Sequence, residues 1–141
     1  MDAYELLRAA GWRPGRHVDA SAGIAALTEK GLTVTPSAVA LLEEFSGLTM
    51  YEPGNPNPLV IDGAVAARDS ELAWSDSYAA AIGLPVTPIG EYSNLLFWVD
   101  SEGVIWATFD NDLGRAGSSL PAMIQGLYFE DPGWQLDHSV E

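Results

Sequence analysis

Hydrophobic positions along the chain fall into short blocks, and their spacing changes from helical to strand-like partway through. Ala3, Leu6, Leu7 and Ala10 recur at helical spacing and predict a short first helix that Gly11 stops. Gly11 to Arg16, punctuated by Pro14 and Gly15, reads as a loop or tight turn. Asp19 or Ser21 can cap a second short helix with Ala20, Ile24 and Leu27 on one face and Gly31 at its end. The clearest helix comes next. Thr35 stands at its N-cap and Pro36 in the first helical position, while Val39, Leu42 and Phe45 form a stripe that Leu41 widens, with Gly47 just beyond the end.

Downstream the period shortens. Residues 48–52 read as a strand, the Pro- and Gly-rich residues 53–58 as a loop, and residues 59–61 as a second strand. A helix is predicted from about Ser70 to Ile82, ended by Gly83. Residues 86–92 form a strand in which Pro88 demands an edge or a bulge. Two apolar, aromatic runs, 95–99 and 104–109, flank the turn composition Asp100-Ser101-Glu102-Gly103 and predict a hairpin. Neither run alternates with polar residues, so either both faces of the sheet are covered or one exposes an aromatic patch. A last helix starts after Ser118 or Ser119, with Pro121 early in it and Met123, Ile124 and Leu127 inward. Helices, strands, a helix, more strands and a helix make an α+β pattern without regular βαβ alternation. One domain is expected over residues 1–141, with residues 131–141 a loosely ordered tail apart from Trp134.

Composition makes a folded core credible. Apolar residues are 48% of the 141 and charged residues only 18%, which places the chain among globular rather than disordered sequences despite a formal net charge of -14. Four acids balance four bases within residues 1–30. The other 16 acids face only Arg68 and Arg115, so the entire excess lies after residue 30. Such a surface repels phosphate backbones and attracts basic partners, whereas direct nucleic-acid binding needs Lys and Arg. The absence of cysteine removes disulfides, thiol nucleophiles and thiolate metal sites together. No signal-like or membrane-length apolar run is present, so a cytoplasmic location with no membrane partner is expected.

Catalytic patterns are scarce. The histidines are His17, beside a turn, and His138, in the expected tail; no Gly-x-Ser-x-Gly elbow presents a serine. Helix capping accounts for Ser118 and Ser119. Asp110-Asn111-Asp112-Leu113-Gly114 resembles a cation loop but lacks the glycine and glutamate positions an EF-hand needs, and reads as an acidic loop at a strand end. Gly114 to Ser119 lacks the lysine and glycine spacing of a phosphate loop. No catalytic residue, metal ligand or cofactor is therefore assigned, although a small hydrolase built on His17 or the Asp110–Asp112 loop would require those groups to converge. Two features remain. Trp12 and Arg16 suit a structural staple to a carboxylate of the acidic half. Glu52, Asp62, Asp100, Glu102, Asp110 and Asp112 surround the aromatic hairpin that carries Trp98 and Trp106, and together suggest a protein-binding face.

Ala10-Gly11-Trp12-Arg13-Pro14-Gly15-Arg16 after a short helix, Pro36 opening a helix that ends in Glu44-Phe45-Ser46-Gly47-Leu48, Pro88-Ile89-Gly90-Glu91, and the hairpin from Leu95 to Phe109 resemble, in order and spacing, the SUKH superfamily of SMI1/KNR4-like domains. Within it they are most similar to the SUKH-3 immunity proteins. The resemblance implies helices packed around a central antiparallel sheet and no catalytic activity. It also implies binding and neutralisation of a cognate toxin of a bacterial polymorphic toxin system, often a nuclease or other nucleic-acid-targeting enzyme. Gly11, Trp12, Gly15, Arg16, Gly47 and Gly90 then read as structural motif positions. The alternative is a regulatory or scaffolding interaction module of the SMI1/KNR4 type. Nothing in the sequence specifies an oligomeric state.

Overall fold

The computed structural model describes residues 2–51, 54–109, 112–129 and the pair His138–Ser139. Its helices are α1 (Ala3–Ala10), α2 (Ser21–Glu29), α3 (Pro36–Phe45), α4 (Gly63–Asp69), α5 (Leu72–Ile82) and α6 (Leu120–Tyr128). The strands are β1 (Leu48–Met50), β2 (Leu59–Ile61), β3 (Val86–Tyr92), β4 (Leu95–Asp100), β5 (Ile105–Phe109), β6 (Asp112–Gly117) and β7 (His138–Ser139). Each strand pairs antiparallel with the next in sequence, so β1 to β6 form a meander and β7 adds two residues beside β6. The fold is α+β, a central antiparallel sheet packed by short helices.

Both faces of the sheet are covered, which explains why its strands do not alternate with polar residues. In β4, Leu95, Phe97 and Val99 join the larger apolar cluster, while Leu96 and Trp98 join a smaller one on the opposite face. The larger cluster includes Leu6 and Leu7 of α1, Leu42 and Phe45 of α3, and Met123 and Ile124 of α6. On the other face α5 supplies Tyr78, whose ring meets Trp98 edge-on at 5.2 Å. The indole of Trp98 is fully buried and donates to Thr108 Oγ1 at 2.9 Å, so this tryptophan completes the core.

Helix ends largely follow the sequence. Thr35 accepts from Ala38 N and Pro36 opens α3, while Ser119 accepts from Ala122 N at the start of α6. At α2 the cap position falls on Ala20, and Asp19 instead accepts from Ser21 N at 2.9 Å. Pro88 sits in β3, which runs between β2 and β4. A register shift separates Pro88 from Gly90 against β4, and β2 reaches only to Gly90, so no ladder bond to β2 is demanded of Pro88.

Two elements depart from the pattern-based reading. Residues 63–69 form α4, a helix of mostly small residues with no apolar stripe to reveal it. Asp62 caps it, accepting from Ala64 N and Val65 N. Its first residue, Gly63, meets Gly23 of α2 so closely that a Cβ on either would lie 3.0–3.1 Å from the other's backbone. The predicted helix from Ser70 accordingly begins later, at Leu72. Residues 112–117, of which 112–114 read as part of an acidic loop, form β6; pairing to β5 holds this glycine-bearing segment extended against its weak strand propensity. The expected loose tail lies mostly outside the described residues, Trp134 included, and His138–Ser139 within it form β7.

Gly90 is required by close approach: a Cβ there would stand 2.2 Å from the carbonyl oxygen of Val60. Gly90→Ala is expected to separate β2 from β3 and destabilise the protein by about 2–4 kcal/mol, read as a fall in the urea midpoint.

Candidate functional site

The N-terminal loop closes onto the end of α3. Gly11, with φ of 113°, caps α1 in the left-handed conformation and turns the chain so that Trp12 is buried against Phe45, ring centroids 6.4 Å apart and nearly parallel. Trp12 Nε1 donates to Glu44 Oε2 at 3.0 Å. Gly15 makes a second left-handed turn, and Arg16 then directs its guanidinium at the carbonyls of Glu44 and Ser46, the latter at 2.8 Å. These carbonyls end a helix and have no intrahelical donor, so one fork satisfies both. Val18 N donates to Glu43 O at 2.7 Å, and Gly47 N to Ile61 O at 2.8 Å, which carries the constraint into β2. The other end of α3 is tied to the sheet: Thr35 N donates to Thr87 Oγ1 and Ser37 Oγ to Asp100 O at 2.6 Å. The carboxylate in this junction, Glu44 of the second motif, is taken by Trp12, while Arg16 meets backbone carbonyls in place of the expected carboxylate.

The predicted protein-binding face resolves into unlike parts. Asp100 is 2% exposed, and its carboxylate accepts from Glu102 N, Val104 N and Trp106 Nε1, building the hairpin turn from within. Trp98 is buried, so neither it nor Asp100 offers a contact to another molecule. Asp62 is engaged as the cap of α4, and Trp106 is half-buried. Glu102 and Asp112 are exposed at opposite ends of β5. Glu52 and Asp110 lie outside the described residues. His17 pairs with Glu43 at 3.0 Å, on the N-terminal loop beside α3, while Asp112 lies in β6.

An acid pair that the sequence reading passed over joins α4 to β3. Asp69 receives Arg68 in two hydrogen bonds of 2.9 and 2.8 Å and lies against Glu91. Arg68 holds its carboxyl down at about 2, with the bond from Glu91 second. Glu91, with its side chain 30% exposed, is pushed up to about 7, first by burial and then by its bond to Asp69. The pair borders a small cavity of about 160 Å3 with Trp74, Tyr78 and the turn residue Ser93, whose φ is 54°. Asp69 and Glu91 are 22 positions apart in the sequence, so no local signal could have joined them.

Three of the six basic side chains are engaged by the chain itself. Arg16 serves α3, Lys30 donates to the closing carbonyls of α4 at Ala67, Arg68 and Ser70, and Arg68 clamps Asp69. Glu102, Asp112 and Asp76 remain outward. With motif positions, fold and charge in place, the comparison with known families is decisive: residues 2–128 match the SUKH-3 immunity protein family. The chain belongs to this family. No curated protein and no solved structure matches it. In this SUKH-3 protein the two sequence motifs around Trp12 and Glu44 are the two halves of one staple.

Arg16→Ala strands two helix-end carbonyls and is expected to cost about 2–3 kcal/mol by urea denaturation; Arg16→Lys, lacking the fork, recovers only part. For Glu91 the folded value lies above the ordinary one, so its protonated form stabilises the fold. That contribution is complete below the ordinary glutamate range and is lost as pH rises through about 7. Glu91→Gln is therefore expected to match the wild-type Tm near pH 5 and exceed it by a few degrees near pH 8, a screened effect of about 1–2 kcal/mol.

Proposed function

We propose that this SUKH-3 protein is a non-catalytic inhibitor that acts in the cytoplasm, binding a basic cognate toxin that targets nucleic acid through its acidic surface. The observation that carries this reading, beside the family itself, is the net charge of -14 in a chain whose Arg16 and Lys30 are engaged at helix ends. An outward field of one sign speeds encounter with a basic enzyme and presents carboxylates where that enzyme accepts phosphates. Among the described residues, Glu102 and Asp112 are the exposed members of the acidic set. Among the described residues no helix is long and apolar enough to cross a membrane.

The test is made with a toxin domain taken from the neighbourhood of the gene. Co-purification with it and loss of its enzymatic activity in the complex are expected; the absence of both refutes the proposal, and binding without inhibition points to a scaffolding module. Reversing Glu102 and Asp112 to Lys is expected to slow association severalfold at low salt, with little change in Tm, as read by stopped-flow.

A further inference from the structure

An open groove of about 310 Å3 lies where α1, α3, the β4–β5 turn and the start of α6 meet. Tyr4, Ala40, Leu41, Leu120 and Pro121 give it an apolar lining, and Glu44 stands in its wall. Its size is at the low end for ligand sites and suits one or two side chains rather than a whole helix. The walls are held before any partner arrives. Ser37 and Arg16 tie the two ends of α3, and Ala3 N donates to Gln125 Oε1 at 2.9 Å, joining α1 to α6. Little ordering therefore remains to oppose binding.

Three features give the groove a preference. Tyr4 keeps 47% of its surface exposed, and half-exposed tyrosines are frequent binding anchors. Glu44 uses Oε2 for Trp12, which leaves a carboxylate with acceptor capacity in an apolar wall. Glu5 follows Tyr4, and exposed Glu102 precedes the lining residue Gly103. Arg8, also on α1, is drawn over the Trp12 ring with Cζ 6.0 Å from the centroid. An apolar slot with a negative rim complements an apolar side chain flanked by Lys or Arg.

We propose that this groove is where an amphipathic basic segment of the protein toxin docks, its apolar side chain against Tyr4 and Leu41 and its cation at Glu44. The assignment rests on the immunity reading and adds the contact surface to it. Ala40 is exposed on α3 and Ala80 is exposed on α5, across the sheet, and arginine suits both helices. Against the purified toxin domain, Ala40→Arg is expected to raise Kd about tenfold or more, and Ala80→Arg less than about threefold. Tyr4→Ala, which adds no bulk, is expected to act in the same direction as Ala40→Arg. Equal effects at positions 40 and 80, or none at 40 while the wild type still binds and inhibits, overturn the groove and leave the immunity reading intact. Failure of the wild type to bind removes the immunity reading instead. The groove is then judged by amide chemical-shift mapping with a short acetylated peptide of alternating leucine and lysine, against one of leucine and glutamate. Shifts confined to Tyr4, Leu41 and Leu120 with the basic peptide alone uphold the slot, and any other pattern overturns it.

Discussion

The bond between the Arg16 guanidinium and the last carbonyls of α3 is the constraint on which the arrangement rests. A helix end inside a fold leaves acceptors that water cannot reach freely, and each must find a donor. Arg16 supplies the donors from a loop that Trp12 has already anchored against Phe45, so packing and hydrogen bonding fix the same junction. With Thr87 and Asp100 holding its other end, α3 cannot shift along the sheet without breaking contacts at both termini. The larger face of the core, and the groove above it, inherit their shape from that immobility.

Where local physics decides an element, the sequence made it legible. Thr35-Pro36 specifies a helix start, Gly11 specifies a helix end, and the Asp100 to Gly103 turn between apolar runs specifies a hairpin. Elements that depend on partners were hidden. Nothing in Gly63-Ala-Val-Ala-Ala announces α4, whose small residues matter only because α2 comes within backbone contact at Gly23. Gly114 and Gly117 argued for a loop and are held in β6 by pairing to β5. The candidate site divides in the same way. Trp12 and Arg16 were readable because arginine and tryptophan in a glycine turn have few structural uses. Asp100 and Trp98 carried surface-like and core-like signals that only burial separates, and Asp69 and Glu91 meet through the fold alone.

The placement of the basic side chains links stability to function. Lys30 and Arg16 each neutralise the negative end of a helix, a use that any protein could make of them. In a chain with six bases it has a second effect, since a cation occupied at a helix end is withdrawn from the surface. Arg8, Arg13, Arg68 and Arg115 stay exposed, so the acidic character of the exterior comes chiefly from the number of carboxylates, and the two helix-end cations only sharpen it.

The meander has a consequence for biogenesis. Because each of β1 to β6 pairs with its neighbour in sequence, every new strand emerging from the ribosome finds its partner already present, and loop closure costs stay small until the end. The final act is different in kind: α6 must return to α1, where Gln125 receives the amide of Ala3. Completion of this face is therefore deferred to the last part of synthesis, and a chain cut short before α6 would hold an assembled sheet whose larger core face, covered by α1 and α3, still lacks Met123 and Ile124.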